Sequence, residues 1–273
     1  MGCRCLLSFC AAVLLGSGCV GPGPVDRSEH AMLSATPLVL SADQAGARFG
    51  RCVAGAGDVD GDGYDDLVVG APYYDTVAPY EGKAWLFPGG PTGPSTTATW
   101  TSTSGQAQSR WGRVVAGAGD VNDDGFDDVL VAAHFWSGTT SFNGTVSVFE
   151  GGPSGLDSAA AWTVEGASEN AGLGWSADGA GDINGDGYDD VVLGAWQQTG
   201  DLDTQGALHV WYGGPSGLSP GGPDWTAWGG AVGGQLGASV RAAGDVNGDG
   251  YADIVAGAPG TLGVGAASVW LDG

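Results

Sequence analysis

Four short stretches of this chain gather oxygen ligands around glycine at regular intervals. They read Asp58-Val-Asp60-Gly-Asp62-Gly-Tyr64-Asp-Asp66, Asp120-Val-Asn122-Asp-Asp124-Gly-Phe126-Asp-Asp128, Asp182-Ile-Asn184-Gly-Asp186-Gly-Tyr188-Asp-Asp190 and Asp245-Val-Asn247-Gly-Asp249-Gly-Tyr251-Ala-Asp253, and they begin 62 or 63 residues apart. Each puts an acid or amide at positions 1, 3, 5 and 9. The backbone carbonyl at position 7 (Tyr64, Phe126, Tyr188, Tyr251) is a fifth donor. Calcium takes six to eight oxygens at about 2.3–2.6 Å, so the spacing predicts up to four Ca²⁺ ions, one per loop. Gly61, Gly125, Gly185 and Gly248 or their neighbours permit the sharp turn. An EF-hand would need a bidentate Glu at position 12 and flanking helices. Position 12 here is Val69, Val131, Leu193 or Ala256, inside an apolar run.

The formal charge of the 273-residue chain is −23, and 17 of its 31 acidic residues lie in these loops. At 5 Å and an effective dielectric near 20, each pair of carboxylates repels by roughly 3 kcal/mol, which bound cations would relieve. With eight Lys and Arg and no basic stripe, nucleic acid is excluded as a partner. Catalysis finds no constellation, so the chain reads as a non-enzyme. His30, His134 and His209 stand apart; His209 is expected on an outward-facing strand position and His134 at a loop mouth. No phosphate-cradling loop or zinc pattern is present.

The loops need elements to hold them, and aligning the copies shows four strand slots per repeat. The first precedes the loop (Phe49–Ala54, Trp111–Ala116, Leu173–Ala177, Leu236–Val240). The second follows it (Asp66–Ala71, Asp128–Ala133, Asp190–Ala195, Asp253–Ala258). A third is Ala84–Phe87, Val146–Phe149, Leu208–Trp211 and Ser268–Leu271. A Gly-Gly-Pro turn at Gly89, Gly151 and Gly213 leads to a fourth that begins Trp-Thr at Trp100, Trp162 and Trp225. Short apolar, β-branched runs bounded by glycine are buried strands. Four antiparallel strands in a repeat of this length make a propeller blade. The fold class is therefore all-β, a β-propeller of four blades. The last blade lacks a fourth strand, and Thr36–Ser41 is expected to fill that slot beside Ser268–Leu271, closing the ring.

The Phe-Gly and Gly-Ala-Pro frame around these loops resembles the FG-GAP repeat of integrin alpha-chain propellers and their bacterial relatives. Phe49-Gly50 and Gly70-Ala71-Pro72 fit fully. The fourth copy has Leu236-Gly237 and Gly257-Ala258-Pro259, the second Trp111-Gly112 and Ala132-Ala133-His134, the third Leu173-Gly174 and Gly194-Ala195-Trp196. The resemblance covers 34–273, with repeats at about 44–97, 106–159, 168–221 and 231–273. It implies a protein-interaction, adhesion or cell-envelope scaffold module.

Before the repeats lies a different kind of sequence. A basic start with Arg4, an apolar run Leu6–Leu15 and small residues before Cys19 make 1–18 a signal peptide resembling a bacterial lipoprotein signal. Residues 19–33 read as a flexible tether. The chain is thus expected to be exported, as an outer-membrane or cell-surface lipoprotein held by lipid on Cys19, or otherwise secreted. The only cysteine in the repeats is Cys52, which rules out an intrachain disulfide there and reads as a small strand residue.

In an up-and-down blade the first and third turns lie on one face and the second on the other. The second turns are long and aromatic: Tyr73, Tyr74 and Tyr80; Phe135, Trp136 and Phe142; Trp196. Clustered aromatics of this kind mark a contact surface. They form the candidate ligand face, suited to a protein or a glycan at the cell surface. Two alternatives are a lectin-like carbohydrate binder and an enzyme with a cleft on that face.

Overall fold

Fifteen strands and one turn of 3-10 helix (Thr261–Gly263) account for the regular structure of the computed structural model, which describes residues 37–271. The chain divides into two units, Met1–Val39 and Leu40–Gly273; the blades belong to the second. The signal segment 1–18, the tether 19–33 and Cys19 lie outside the described residues.

The blades are sequential antiparallel sheets. Blade 1 is β1 (Cys52–Gly57), β2 (Asp66–Ala71), β3 (Lys83–Phe87) and β4 (Trp100–Thr103). Blade 2 is β5 (Val114–Gly119), β6 (Asp128–Ala133), β7 (Thr145–Phe149) and β8 (Trp162–Glu165). Blade 3 is β9 (Leu173–Gly181), β10 (Asp190–Ala195), β11 (Ala207–Trp211) and β12 (Trp225–Trp228). Blade 4 is β13 (Ser239–Gly244), β14 (Asp253–Ala258) and β15 (Ala266–Trp270). The second strands coincide with the expected runs. The innermost strands of blades 1, 2 and 4 start about three residues later than expected, whereas that of blade 3 starts at Leu173 as expected, although all four blades hold left-handed φ just before this point.

Both faces of a blade are covered by its neighbours, which is why β6 and β10 are unbroken apolar runs and are buried throughout. Trp100 of blade 1 packs edge-on against Phe149 of blade 2, Trp162 of blade 2 against Trp211 of blade 3, and Trp225 of blade 3 against Trp270 of blade 4. The indole N–H of Trp100 donates to the Asp157 carbonyl and that of Trp162 to the Ser219 carbonyl, both at the equivalent place in the next blade. The core is thus a series of layers between blades. A fully buried leucine such as Leu130 sits in one of them, and its truncation to Ala would cost about 2–5 kcal/mol.

The ends of the array differ from its middle. Val53 of β1 is 64% exposed where its equivalent Val115 is 2% exposed, and Val269 of β15 is 51% exposed where Val148 is 1% exposed. Inner strands pack in the order β1, β5, β9, β13, without comparable packing of β13 on β1. The expected closing strand is corrected accordingly. Thr36 lies outside the described residues, residues 37–41 carry no strand, and among the described residues β15 is hydrogen-bonded to β14 alone. Leu40 and Ala42 pack with Val69, Trp85 and Phe87 on the outer face of blade 1. Blade 4 has three strands among the described residues.

Candidate metal centre and the opposite face

The acidic loops join the first and second strands of each blade. In loop 1 the Asp58 carboxylate accepts N–H bonds from Gly61, Asp62 and Gly63. Asp60 accepts from Asp62 N–H, and Asp62 from Tyr64 N–H. These turns fold the loop over its own acids. Oxygens of Asp58, Asp60 and Asp62 come within 4.8 Å of one another, which suits a hard cation because three carboxylates converge with no cationic side chain bonded to them. Loops 2 to 4 carry Asn at position 3. There the amide Nδ2 donates to the acid at position 5: Asn122 to Asp124 at 3.1 Å, Asn184 to Asp186 at 3.0 Å and Asn247 to Asp249 at 2.5 Å. One repelling acid pair is thereby replaced by a hydrogen bond, so positions 1, 3 and 5 carry the most negative charge in loop 1. Loop 2 also places Asp123, with φ 56°, where the other loops have glycine.

Position 9 behaves differently from positions 1, 3 and 5. Asp66, Asp128, Asp190 and Asp253 are buried. Asp66 accepts from the N–H groups of Val59 and Gly89, Asp128 from Val121 and Gly151, and Asp190 from Ile183 and Gly213. Each therefore staples the loop to the turn after the third strand. Burial raises the Asp128 and Asp190 carboxyls to about 7 against those bonds.

A further acid escaped the ligand count. Asp127 accepts the Asp58 N–H of the preceding blade at 2.7 Å, and Asp189 accepts that of Asp120 at 3.0 Å. The Asp127 and Asp189 N–H groups answer by donating to the carbonyls of Asp58 and Asp120. Gly57, with φ 75°, leaves room for this: a Cβ there would strike the Asp127 carboxylate. The only sequence signal was the Asp-Asp doublet at positions 8 and 9, which becomes Ala252-Asp253 in the last copy.

The aromatic residues lie at the other end of the same strands. Tyr73 meets Tyr80 edge-on at 5.5 Å, and the equivalent Phe135 meets Phe142 at 5.8 Å. Tyr80 and Phe142 both hold left-handed φ and are 49% and 44% exposed. Trp196 stacks on Trp175 at 4.3 Å, and a cavity of about 230 Å³ opens among Phe135, Phe142, Trp175 and Trp196. Tyr74 and Trp136 turn inward instead. Tyr74 packs on Trp85 and bonds Asp43, and Trp136 donates to Glu165.

Both described histidines are buried. His209 is not outward-facing as expected, because the third strand of an interior blade is covered on both sides. Its Nδ1 meets the Thr226 hydroxyl at 2.9 Å and its Nε2 the Gln198 Oε1 at 2.8 Å, and burial lowers its pKa to about 4. His134 lies between the rings of Phe135 and Trp175 with Nδ1 unpartnered, its pKa lowered to about 3 by burial and then by Arg113 and Arg110. Cys52 is half-buried in the layer between blades 1 and 2, its sulfur beside the Val115 backbone.

The family model of the FG-GAP repeat matches residues 49–87, 111–149, 173–211 and 236–271. The chain belongs to the FG-GAP repeat family. The four matches run from the start of the innermost strand of each blade, or three residues before it, to the end, or near it, of its third strand, so they enclose every acidic loop. Integrin alpha-IIb of Mus musculus is 38% identical over 165 residues, 58% of this chain and 16% of that protein. Integrin alpha-IIb of Homo sapiens is 37% identical over 168 residues, with the same coverage. Integrin alpha-5 of Xenopus laevis is 32% identical over 166 residues, 58% of this chain and 15% of its own length. The FG-GAP chain thus spans about a sixth of the length of these relatives. Among its described residues no helix is long and apolar enough to cross a membrane.

Proposed function

We propose that this FG-GAP propeller is an exported, calcium-loaded protein-interaction module that serves adhesion or envelope scaffolding through the face opposite its acidic loops. The observation that carries this reading is the division of labour between the two ends of the blades. Acids converge at one end, and exposed rings held in strained backbone stand at the other. The ions would be held by the side chains at positions 1, 3, 5 and 9 of each loop and the carbonyl at position 7. The family likeness supports protein partners, because the same repeats occur in integrin alpha chains. Export rests on residues 1–18 and an anchor on Cys19.

An enzyme finds no support in the histidines. Both His209 nitrogens are occupied inside the core, and His134 is enclosed by rings. A glycan reading draws on the ring-lined cavity between blades 2 and 3. Beads coated with the protein should adhere to cells in calcium, and Tyr80→Ala with Phe142→Ala should abolish adhesion while the melting temperature holds. Adhesion that survives both changes, or that a glycosidase treatment of the cells removes, would sink the protein-partner reading.

A further inference from the structure

The described residues contain six Lys and Arg, and four of them (Arg48, Arg51, Arg110, Arg113) converge on the aromatic face. They occupy two repeat-related positions. Arg48 and Arg110 stand two residues before Gly50 and Gly112, and Arg51 and Arg113 directly after, at the start of the innermost strands. The Arg48 guanidinium lies 4.3 Å above the Tyr73 ring. Arg110 is held between two rings, 5.0 Å from that of Tyr73 and 4.2 Å from that of Phe135. Arg113 lies 5.7 Å over Trp175.

None of these four guanidinium groups pairs with a carboxylate or donates a hydrogen bond among the described residues; the one ion pair present is Arg241 with Asp178 in another part of the propeller. That is unexpected in so acidic a chain. The nearby acids are engaged elsewhere, Asp43 by the Tyr74 hydroxyl and Asp75 by the Tyr80 N–H. The arginines also repel one another: burial lowers the Arg113 pKa, and Arg51 and Arg110 lower it further. His134, buried beside them, keeps an unpartnered Nδ1. Rings lie within about 6 Å of the Arg48, Arg110 and Arg113 guanidinium groups, whose N–H groups have no acceptor among the described residues, and a guanidinium accepts a carboxylate through two parallel hydrogen bonds.

We propose that Arg48, Arg51, Arg110 and Arg113 form an anion-binding site for a carboxylate-rich protein segment, seated across blades 1 and 2 at the mouth of the innermost strands. This rests on the protein-partner reading above and names the chemistry of the partner. Two repeats of the same arginine pair call for at least two carboxylates, and the exposed Tyr80 and Phe142 beside them offer contact to apolar residues between the acids. A peptide supplies both.

The test uses fluorescein-labelled octaglutamate and the full chain in about 2 mM calcium, read by anisotropy, with a heparin octasaccharide as the second arm. Saturable octaglutamate binding should weaken at least roughly tenfold in the double variant Arg110→Gln/Arg113→Gln and fall as salt rises from about 50 to 300 mM. Arg241→Gln should leave it unchanged. Arg51→Gln, at an exposed position, should weaken binding with an unaltered melting curve, which guards against a folding defect in the double variant. No saturable octaglutamate binding, binding indifferent to all three arginine changes, or tighter binding of heparin than of octaglutamate would overturn the proposal. If octaglutamate fails while bead adhesion still depends on Tyr80 and Phe142, the partner-binding reading stands and the carboxylate assignment falls.

Discussion

At one end of the second strands the chain collects carboxylates; at the other end of the same strands it collects guanidinium groups and rings. A six-residue strand such as β2 spans roughly 20 Å, more than twice the Debye length of about 8 Å at physiological salt. The two faces are therefore nearly independent electrically, and a chain of −23 net charge can still present a cationic surface. Strand parity produces the separation. Every first turn of a blade opens on one side and every second turn on the other, so a repeat that varies the two turns independently can tune metal affinity and partner chemistry separately. Perturbing one face and watching the other tests this separation.

Removing metal is the largest such perturbation. With affinities near 10⁻⁴ M, each loop at about 2 mM calcium adds about 2 kcal/mol of stability, so four loops together would give several. EGTA should lower the melting temperature by many degrees and leave bead adhesion, measured well below the new midpoint, nearly intact. A melting curve indifferent to chelation would remove calcium from the account. Loss of adhesion without unfolding would show that the faces are coupled.

The second effect probes the core between the two faces. His209 is neutral in the folded state because burial holds its pKa at about 4, against 6.5 when unfolded. The unfolded chain binds more protons between these values. The stabilisation is therefore fully present above pH 6.5 and is lost as pH falls toward 4, by about 3 kcal/mol. Urea denaturation of His209→Gln across that window should show a shallower pH slope than the parent. Equal slopes would mean that His209 carries no linkage.

Asp127 comes next. Replacing it with Ala leaves the Asp58 N–H without its acceptor at the junction of blades 1 and 2, a loss of about 2 kcal/mol. Asp127→Asn keeps an acceptor and should cost less. Gly57→Ala should mimic the loss, since its Cβ would displace the carboxylate. If Asp127→Ala proves neutral by denaturation, the acid is not a staple and the layer of side chains alone joins the blades.

What the sequence disclosed and what it hid divide along the same line as these effects. The loops and the second strands are local patterns, carbonyl and carboxylate spacing in one case and an apolar run in the other, and both were legible. So was the parity that separates the faces. Asp127 was not, because its partner lies 69 residues away and the doublet around it reads as one more acid in an acidic loop. The arginine cluster was equally hidden: Arg48 and Arg110 are far apart in sequence and meet only over Tyr73. His209 was misplaced because alternation assigns an outside to a strand that has none. The closing strand failed as well. The sequence interval before Phe49 matched a fourth strand, but residues 37–41 form no strand and make no ladder with β15.

The smallest effect separates the loops from one another. Asn122 stands where loop 1 has Asp60, and its Nδ2 donates to Asp124. Asn122→Asp would replace that bond by repulsion between two carboxylates at an exposed site, costing about 1 kcal/mol in the absence of metal. With calcium present the cost should be cancelled, because an added charged oxygen raises the affinity of the loop by a comparable amount, roughly fivefold to tenfold. The same change should therefore lower the melting temperature in EGTA and leave it nearly unchanged in calcium. Asp60→Asn in loop 1 should raise it in EGTA and leave it nearly unchanged in calcium. Calorimetric titration of the two variants checks the affinities directly, with loop 1 expected to be the tightest site of the parent. If Asn122→Asp destabilises equally with and without calcium, position 3 does not face the ion, and the loops are acidic turns that hold their shape through backbone N–H bonds alone.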